Sequence, residues 1–253
     1  MSDAKLASAH LRTLGAAYGE VDPVVAEEAY RRSLQLEPGV AVAHAALAEV
    51  LTRLNRYAEA ASHLRRALSL DPQQEQALAL QMELLVAEGL VPDAIARFTM
   101  SLANGANARI ITLFGDLLAR LGLREDAAAR YREALRAGGT PEAHANLALL
   151  AVDDGRYEEA LHGFDRALKL DPTLVEVQLN RANVLVELGR LDEAAEQFVH
   201  LSHDDEVAGP AWWGLAAVHE ARGDCGEAVA ARLRALETEP ELAHRCATAP
   251  VGA

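Results

Sequence analysis

The chain has few aromatic residues and few cysteines. Of its 253 residues only 4% are aromatic, and two are cysteines, Cys225 and Cys246. Two cysteines cannot build a disulfide framework, so a reducing compartment is the default expectation. The N-terminal residues lack the apolar segment of a signal peptide, and no apolar run approaches the ~20 residues that span a bilayer. These features predict a cytoplasmic protein without a membrane partner.

Basic residues are also scarce, and lysine is almost absent. The 24 basic residues face 38 acidic ones, which gives a net charge of −14, and only Lys5 and Lys169 are lysines. Because a phosphate backbone is bound by clustered Lys and Arg, this composition argues against a nucleic-acid partner. The preference for arginine over lysine is typical of GC-rich bacterial genomes, so we expect a bacterial source.

Motifs for catalysis and metal binding are missing from the sequence as well. It contains no glycine-rich phosphate loop, no H-E-x-x-H, no C-x-x-C and no G-x-S-x-G. His200, His203 and Asp204 have a spacing that can offer metal ligands, but such residues more often form a solvated turn at a helix end. We therefore predict no enzymatic activity, no cofactor and no metal site.

What the chain does contain is a repeated pattern. Seven units follow one another between an N-terminal extension, residues 1–6, and a short C-terminal tail, residues 243–253. Five units have 34 residues and two have 33: 7–40, 41–74, 75–107, 108–140, 141–174, 175–208 and 209–242. Within a unit apolar residues recur at intervals of three and four, so each unit predicts two amphipathic helices joined by a turn.

Four positions, counted from the first residue of each unit, suit a helical hairpin. Position 20 is Ala in every unit, position 24 is large and apolar or aromatic in six, position 15 is Gly in five, and position 32 is Pro in four. Small residues let two helices approach closely, and the bulky residue fills the space beside them. Gly permits the left-handed cap that ends the first helix, and Pro cannot continue the second. The pattern departs at Arg232, which occupies position 24 of the last unit.

Position 4 is a packing position between the two helices of a unit. It is occupied by His10, His44 and His144 in three units and by Trp212 in the last. We expect these side chains to be partly buried.

This pattern resembles the tetratricopeptide repeat, a helix–turn–helix unit of 34 residues, over residues 7–242. The resemblance implies an all-α, right-handed superhelical solenoid of about seven repeats, whose first helices line a concave groove. It also implies a non-catalytic adaptor that binds a peptide segment or helix of a partner protein in that groove. Two alternatives are a scaffold that self-assembles through an apolar C-terminal edge and an accessory subunit that presents a substrate to a separately encoded enzyme.

Three asparagines at groove-facing positions are candidate ligands for a peptide. Asn146 and Asn180 occupy position 6 of successive units, and Asn183 follows one helical turn after Asn180. A primary amide both donates and accepts, so it suits a peptide backbone. The arrangement is similar in part to the asparagine ladder in the repeats of O-linked N-acetylglucosamine transferase, which holds peptide main chain. The alternative is that these asparagines are solvated polar residues.

Acidic residues and a tryptophan complete the predicted site. Glu49, Glu83 and Asp116 occupy position 9 of three successive units and form an acidic strip that would attract a basic segment. Trp213, at position 5 of the last unit, is a candidate apolar anchor. The alternatives are that the strip only reflects the overall negative charge and that Trp213 packs against the preceding unit.

Overall fold

A computed structural model describes residues 3–242, which form helices and turns without a β-strand. The helices are, in chain order, α1 (Asp3–Tyr18), α2 (Pro23–Leu36), α3 (Ala41–Arg53), α4 (Tyr57–Leu70), α5 (Glu75–Ala87), α6 (Val91–Ala103), α7 (Ala108–Arg120), α8 (Arg124–Arg136), α9 (Pro141–Asp153), α10 (Tyr157–Leu170), α11 (Val175–Glu187), α12 (Leu191–Leu201), α13 (Ala208–Arg222) and α14 (Cys225–Thr238). The predicted all-α class is confirmed. The predicted C-terminal tail, with Cys246, lies outside the described residues.

The chain forms two compact units, and the boundary between Arg130 and Tyr131 lies within α8. In the first unit each helix from α1 to α7 packs against the next one in sequence, and α5 also contacts α3 and α7. In the second unit the helices from α9 to α14 pack in the same sequential way, and α11 also contacts α13. Because contacts are between near neighbours, each hairpin buries its apolar face against the hairpins beside it.

Glycine ends the first helix of most hairpins in the left-handed conformation. A φ between +70° and +82° is shared by Gly89, Gly122, Gly155, Gly189 and Gly223, and Asn55 takes this place with a φ of 60°. The following residue donates its N–H to a carbonyl five residues earlier, as Arg156 does to Ala151 at 2.8 Å. This bond satisfies a carbonyl that the helix end would otherwise leave without a partner. The predicted cap is confirmed.

The alanine at position 20 is buried in every hairpin. Its exposed fraction is at most 3%, from Ala26 to Ala228. The bulky residues at position 24 are buried beside it up to Phe198, and burial of such a side chain contributes roughly 1.5–3 kcal/mol. The close approach that small residues permit is evident at Gly163 of α10, where an added Cβ would lie 2.7 Å from the Cβ of Ala148 on α9.

The turn of the first hairpin is longer than the others. Three residues, 19–21, separate the end of α1 from Asp22, the N-cap of α2. In the second hairpin only residues 54–55 separate the end of α3 from Arg56, the N-cap of α4. The carboxylate of Asp22 accepts the N–H groups of Val24 (3.0 Å) and Val25 (3.2 Å), which starts α2.

Because of this turn, α1 presents a different face to α2. Ser8 is buried and hydrogen-bonds to Ser33, and Gly15 lies against the ring of Tyr30. His10 is exposed, so the prediction that it is a packing residue is wrong. The same prediction is confirmed for His44, which is buried, and for His144, which is half-buried.

Two histidines, the buried His44 and the half-buried His63, form a pair between α3 and α4. His44 Nδ1 lies 2.9 Å from His63 Nδ1, and His44 Nε2 lies 3.1 Å from the carbonyl oxygen of Pro38. Since a carbonyl only accepts, the proton of neutral His44 is on Nε2, and His63 Nδ1–H donates to His44 Nδ1. Burial lowers the pKa of both residues, and the positive charge of His44 would lower the pKa of His63 further. Both imidazoles are therefore held neutral at neutral pH.

A network of two arginines and two glutamates joins α2 to α4. Arg56 donates to both carboxylate oxygens of Glu27, at 2.7 and 2.8 Å, and also pairs with Glu59. Arg31 donates to Glu27 at 2.7 Å and to Glu59 at 3.0 Å. Burial raises the pKa of Glu27, but the hydrogen bonds from Arg31 and Arg56 outweigh this effect and leave it below its usual value. The Glu27 side chain is only 14% exposed, so water solvates its charge poorly and the two arginines stabilise it instead.

Candidate binding surfaces

The asparagine candidates lie on α9 and α11 in the second unit. Asn180 is half-buried and Asn183 is exposed, and neither side-chain amide makes a hydrogen bond in the range 3–242. Asn146, at the equivalent place on α9, is half-buried and is engaged in an interaction within the protein. Two amides on one helix are thus accessible to a ligand, and the third is already in use.

Position 6 is less open than the sequence suggested. Leu80 is buried at this position, and a Cβ added to Gly214 would overlap the ring of Phe198 on α12. Position 6 therefore faces in part the second helix of the preceding hairpin, which explains why Asn146 and Asn180 are half-buried. Sequence periodicity places a residue on a helix face but does not say how close the neighbouring helix is.

Trp213 is half-buried on α13, and an arginine of α14 covers its ring. The guanidinium carbon of Arg232 lies 4.7 Å from the ring centroid, a cation–π contact. Arg232 also pairs with Glu220 at 2.6 Å. Trp212 has a similar partner in Arg234, at 4.6 Å, and packs against the core of the second unit, as predicted for position 4. The sequence offered one signal for this arrangement, the arginine at the aromatic position of the repeat.

The three predicted acids lie on α3, α5 and α7 in the first unit, in different surroundings. Glu49 pairs with Arg53 at 2.9 Å and accepts a hydrogen bond from Gln76 of the next hairpin. Asp116 is half-buried and engaged within the protein. Glu83 is exposed and forms no ion pair or hydrogen bond among residues 3–242. The charge of the strip is therefore most available at Glu83.

A cleft of about 350 Å³ lies beside Glu49, between α1 and α3. Arg53 spans it, because it donates to the carbonyl of Gly19 at 2.9 Å as well as to Glu49. Burial raises the pKa of Tyr30 at the base of this cleft, and the negative charge of Glu49 raises it further. The cleft thus combines an ion-paired carboxylate, an arginine and the amide of Gln76. Its surface is therefore of mixed polarity and not purely acidic. Sequence reasoning missed the roles of Gln76 and Arg53 here.

The described helices offer neither a metal-binding cluster nor a membrane span. Within residues 3–242, no group of three or more His, Cys, Asp or Glu side chains is arranged to hold a metal ion. In the same residues, every helix is too short or too polar to traverse a bilayer.

The fold and the repeated geometry define a class, that of proteins built from tandem helical hairpins. A tetratricopeptide repeat model matches residues 17–84 and 151–241, and a second tetratricopeptide repeat model matches residues 112–175. Since the first of these models alone matches more than half of the chain, the protein belongs to the tetratricopeptide repeat family. Proteins of this family generally bind protein partners and are generally non-catalytic, so the fold supports a role in protein interaction.

Individual proteins resemble the chain more distantly. Human protein O-mannosyl-transferase TMTC1 is 29% identical over 127 residues, which is 50% of this chain but 14% of that protein. Cut9, from the structure of the APC/C hetero-tetramer Cut9–Hcn1, is 18% identical with a TM-score of 0.69 and covers 93% of this chain and 46% of its own. Yeast Tom70 is 19% identical with a TM-score of 0.69 over 98% of this chain and 56% of its own. At these identities the two structures show the fold alone, and the chain spans no more than 56% of the length of any of these three relatives.

Proposed function

We propose that the protein is a non-catalytic adaptor that binds an extended segment of a partner protein along the first helices of its repeats. One observation carries the proposal: the amides of Asn180 and Asn183 lie one helical turn apart on α11 and have no partner within residues 3–242. Each amide can donate to a peptide carbonyl and accept from a peptide N–H. Asn146 on α9 would join them by exchanging its present interaction for the ligand.

Trp213 would anchor an apolar side chain of the same segment. Arg232 covers one face of the indole, so the ligand would contact the part of the ring that the arginine leaves accessible. In the first unit, Glu83 would attract a basic residue, because its charge is not compensated within residues 3–242. Glu49 and Asp116 would contribute less, since their carboxylates are already engaged.

Photo-crosslinking tests this proposal and identifies the partner. Benzoylphenylalanine in place of Asn183 should crosslink a protein from the source cell, whereas the same residue in place of Ser69, exposed on α4, should not crosslink that protein. The double variant Asn180→Ala/Asn183→Ala should then bind the identified partner about tenfold more weakly, the equivalent of one or two hydrogen bonds. Gln35→Ala, at an exposed position of α2, is the matched control. Equal affinity of the double variant and the wild type would contradict the proposal.

A self-associating scaffold is the second candidate. Val229 and Leu233 lie one turn apart on α14, are 59% and 57% exposed, and together offer an apolar patch on this helix. Light scattering of the wild type and of Val229→Lys/Leu233→Lys decides it. If both proteins are monomers, this candidate is excluded. If the wild type is an oligomer and the variant is a monomer, the candidate is supported.

An accessory role beside an enzyme is supported more weakly. The human relative is named an O-mannosyltransferase, but the match involves 14% of that protein. Sugar transfer is therefore not part of the proposal.

A further inference from the structure

A cleft separate from the candidates above opens between α4, α5 and α6 in the first unit. Its volume is about 580 Å³, within the range of about 300–1,000 Å³ that is usual for ligand pockets. Leu64 of α4, Leu84 and Leu85 of α5 and Met100 of α6 give it an apolar floor. Met100 is 59% exposed there. None of the groove candidates Glu49, Glu83 and Asp116 lines this cleft.

The repeat pattern changes in the hairpin that contributes α5 and α6 to this cleft. Position 8 of the repeat faces the second helix of its own hairpin, as the contact between Ala148 and Gly163 shows. This position is small in five repeats: Ala48, Gly115, Ala148, Ala182 and Ala216. In the third repeat it is Met82, which is only 4% exposed. A side chain of this length cannot fit between helices that approach as α9 and α10 do, and α5 and α6 pack less closely than that pair.

One residue that lines the cleft carries a buried polar atom without a partner. Gln81 of α5 lines it, and the Oε1 atom of Gln81 is buried without a hydrogen-bond donor among residues 3–242. Buried acceptors without partners are rare in folded proteins and require an explanation. An occupant that brings a donor to this point would supply the missing bond.

Charged side chains at the rim are also unengaged. Asp93 and Arg97 lie one turn apart on α6, Arg65 extends from α4, and Glu88 follows α5. None of these four side chains forms an ion pair or a hydrogen bond within residues 3–242, in contrast to the paired charges of Arg31 and Arg56. Asp93 lies in the first turn of α6, Glu88 shortly precedes this helix, and Arg97 follows Asp93 by one turn. The rim therefore carries unpaired charges of both signs.

We propose that this cleft binds a segment of a partner protein by inserting one aromatic side chain that carries a hydrogen-bond donor, Tyr or Trp. These side chains combine a large apolar body with a polar tip, which suits the leucine floor and the acceptor of Gln81. The sulfur of Met100 adds a favourable contact with an aromatic ring. A basic residue and an acidic residue near the aromatic residue would pair with the acids and the arginines of the rim.

Methyl NMR tests the proposal directly, because the chain contains only three methionines, Met1, Met82 and Met100. The protein labelled with ¹³C at the methionine methyl groups is titrated with N-acetyl-L-tyrosinamide, N-acetyl-L-tryptophanamide and N-acetyl-L-phenylalaninamide. The Met100 signal should move while that of Met1 stays in place. The tyrosine probe should bind about fivefold more tightly than the phenylalanine probe, because only its hydroxyl can pair with Gln81.

Three variants complete the test. Gln81→Leu should abolish the preference for tyrosine over phenylalanine, and Gln35→Leu, at an exposed site, should preserve it. Ala96→Phe, at an exposed position of α6 that lines the cleft, should fill it and abolish the shifts for all probes. The proposal is overturned if the Met100 signal stays in place up to the solubility limit of both donor-bearing probes, or if Gln81→Leu keeps the preference. Asn180→Ala/Asn183→Ala should leave every shift unchanged, which separates this site from the proposed groove function.

Discussion

Arg232 of α14 lies over the ring of Trp213 of α13, with 4.7 Å between the guanidinium carbon and the ring centroid. The preceding repeats bury a Tyr, Phe or Leu at the position of Arg232. In the last repeat the aromatic ring is that of Trp213 on the first helix, and Arg232 of the second helix covers it. A contact between two residues on facing helices thus stands where the other repeats have a single bulky side chain.

Arg232→Ala should uncover the indole of Trp213 and destabilise the second unit. We expect a loss of about 1–2 kcal/mol, from the cation–π contact and the ion pair with Glu220 together. Tryptophan fluorescence in a Trp212→Phe background measures the change, because Trp213 is then the only tryptophan. The emission maximum should shift to the red. An unchanged spectrum would mean that Arg232 does not shield the ring.

The histidine pair should make stability fall as the pH decreases. Burial lowers the pKa of His44 and His63 in the folded protein, so the unfolded chain takes up protons first, near pH 6.5. Stability is therefore complete above about pH 6.5 and decreases below it until the folded histidines titrate, by at most about 1.4 kcal/mol per pH unit for each histidine. Urea unfolding between about pH 7.5 and 5.5 measures the slope.

His63→Phe is the variant that isolates this pair. It keeps a ring against His44 but removes one titrating group, so the slope should decrease. Part of it should remain, because burial also lowers the pKa of His144. The charges of Arg31, Arg66 and Glu59 act on the pair and are unchanged in the variant. A slope equal to that of the wild type would exclude the pair as its source.

Two neighbouring glutamates of α2 should differ in their contribution to stability. Glu27 is 14% exposed and bridges Arg31 and Arg56, so Glu27→Gln should cost about 2 kcal/mol. Among residues 3–242 Glu28 pairs only with Arg32, and its side chain is 59% exposed, so Glu28→Gln should cost less than about 0.5 kcal/mol. Urea unfolding of both variants at neutral pH checks the difference. Equal losses would show that the network does not stabilise the contact between α2 and α4.

Gly214 is the place where a single added methyl group should be most harmful. Its Cβ would overlap the ring of Phe198, so Gly214→Ala should lose roughly 1–3 kcal/mol by overpacking. Phe198→Leu in the same chain should recover part of this loss, because it removes the clashing ring atoms. Gly39→Ala is the control, since open space surrounds that position, and its stability should be unchanged or slightly raised. Additive losses in the double variant would contradict the proposed contact.

The sequence predicted those parts of the fold that repeat. The alanine at position 20 and the glycine turns recur with fixed spacing, and their packing and backbone requirements are local, so the pattern alone was sufficient. The orientation of α1 was not predictable in this way, because one additional residue in the turn before Asp22 changes which face α1 presents to α2.

The candidate site was predicted less completely for a similar reason. The pattern placed Asn180, Asn183 and Glu83 on helix faces, and these residues are accessible. It did not show that Arg53 and Gln76 engage Glu49 or that Arg232 covers Trp213, because these partners come from other helices. A departure from the repeat was the best signal in each new finding, as Arg232 and Met82 illustrate.

Met82 also has a consequence for how the protein opens. In an array of hairpins, stability is the sum of terms from each hairpin and from its contacts with neighbours. The pair α5–α6 packs less closely than α3–α4 or α9–α10, so its contribution to this sum is smaller. Local opening starts where few apolar contacts must be broken. Local opening of the first unit should therefore begin in the third repeat. Backbone amides of α5 and α6 should exchange with solvent before those of α3 and α4.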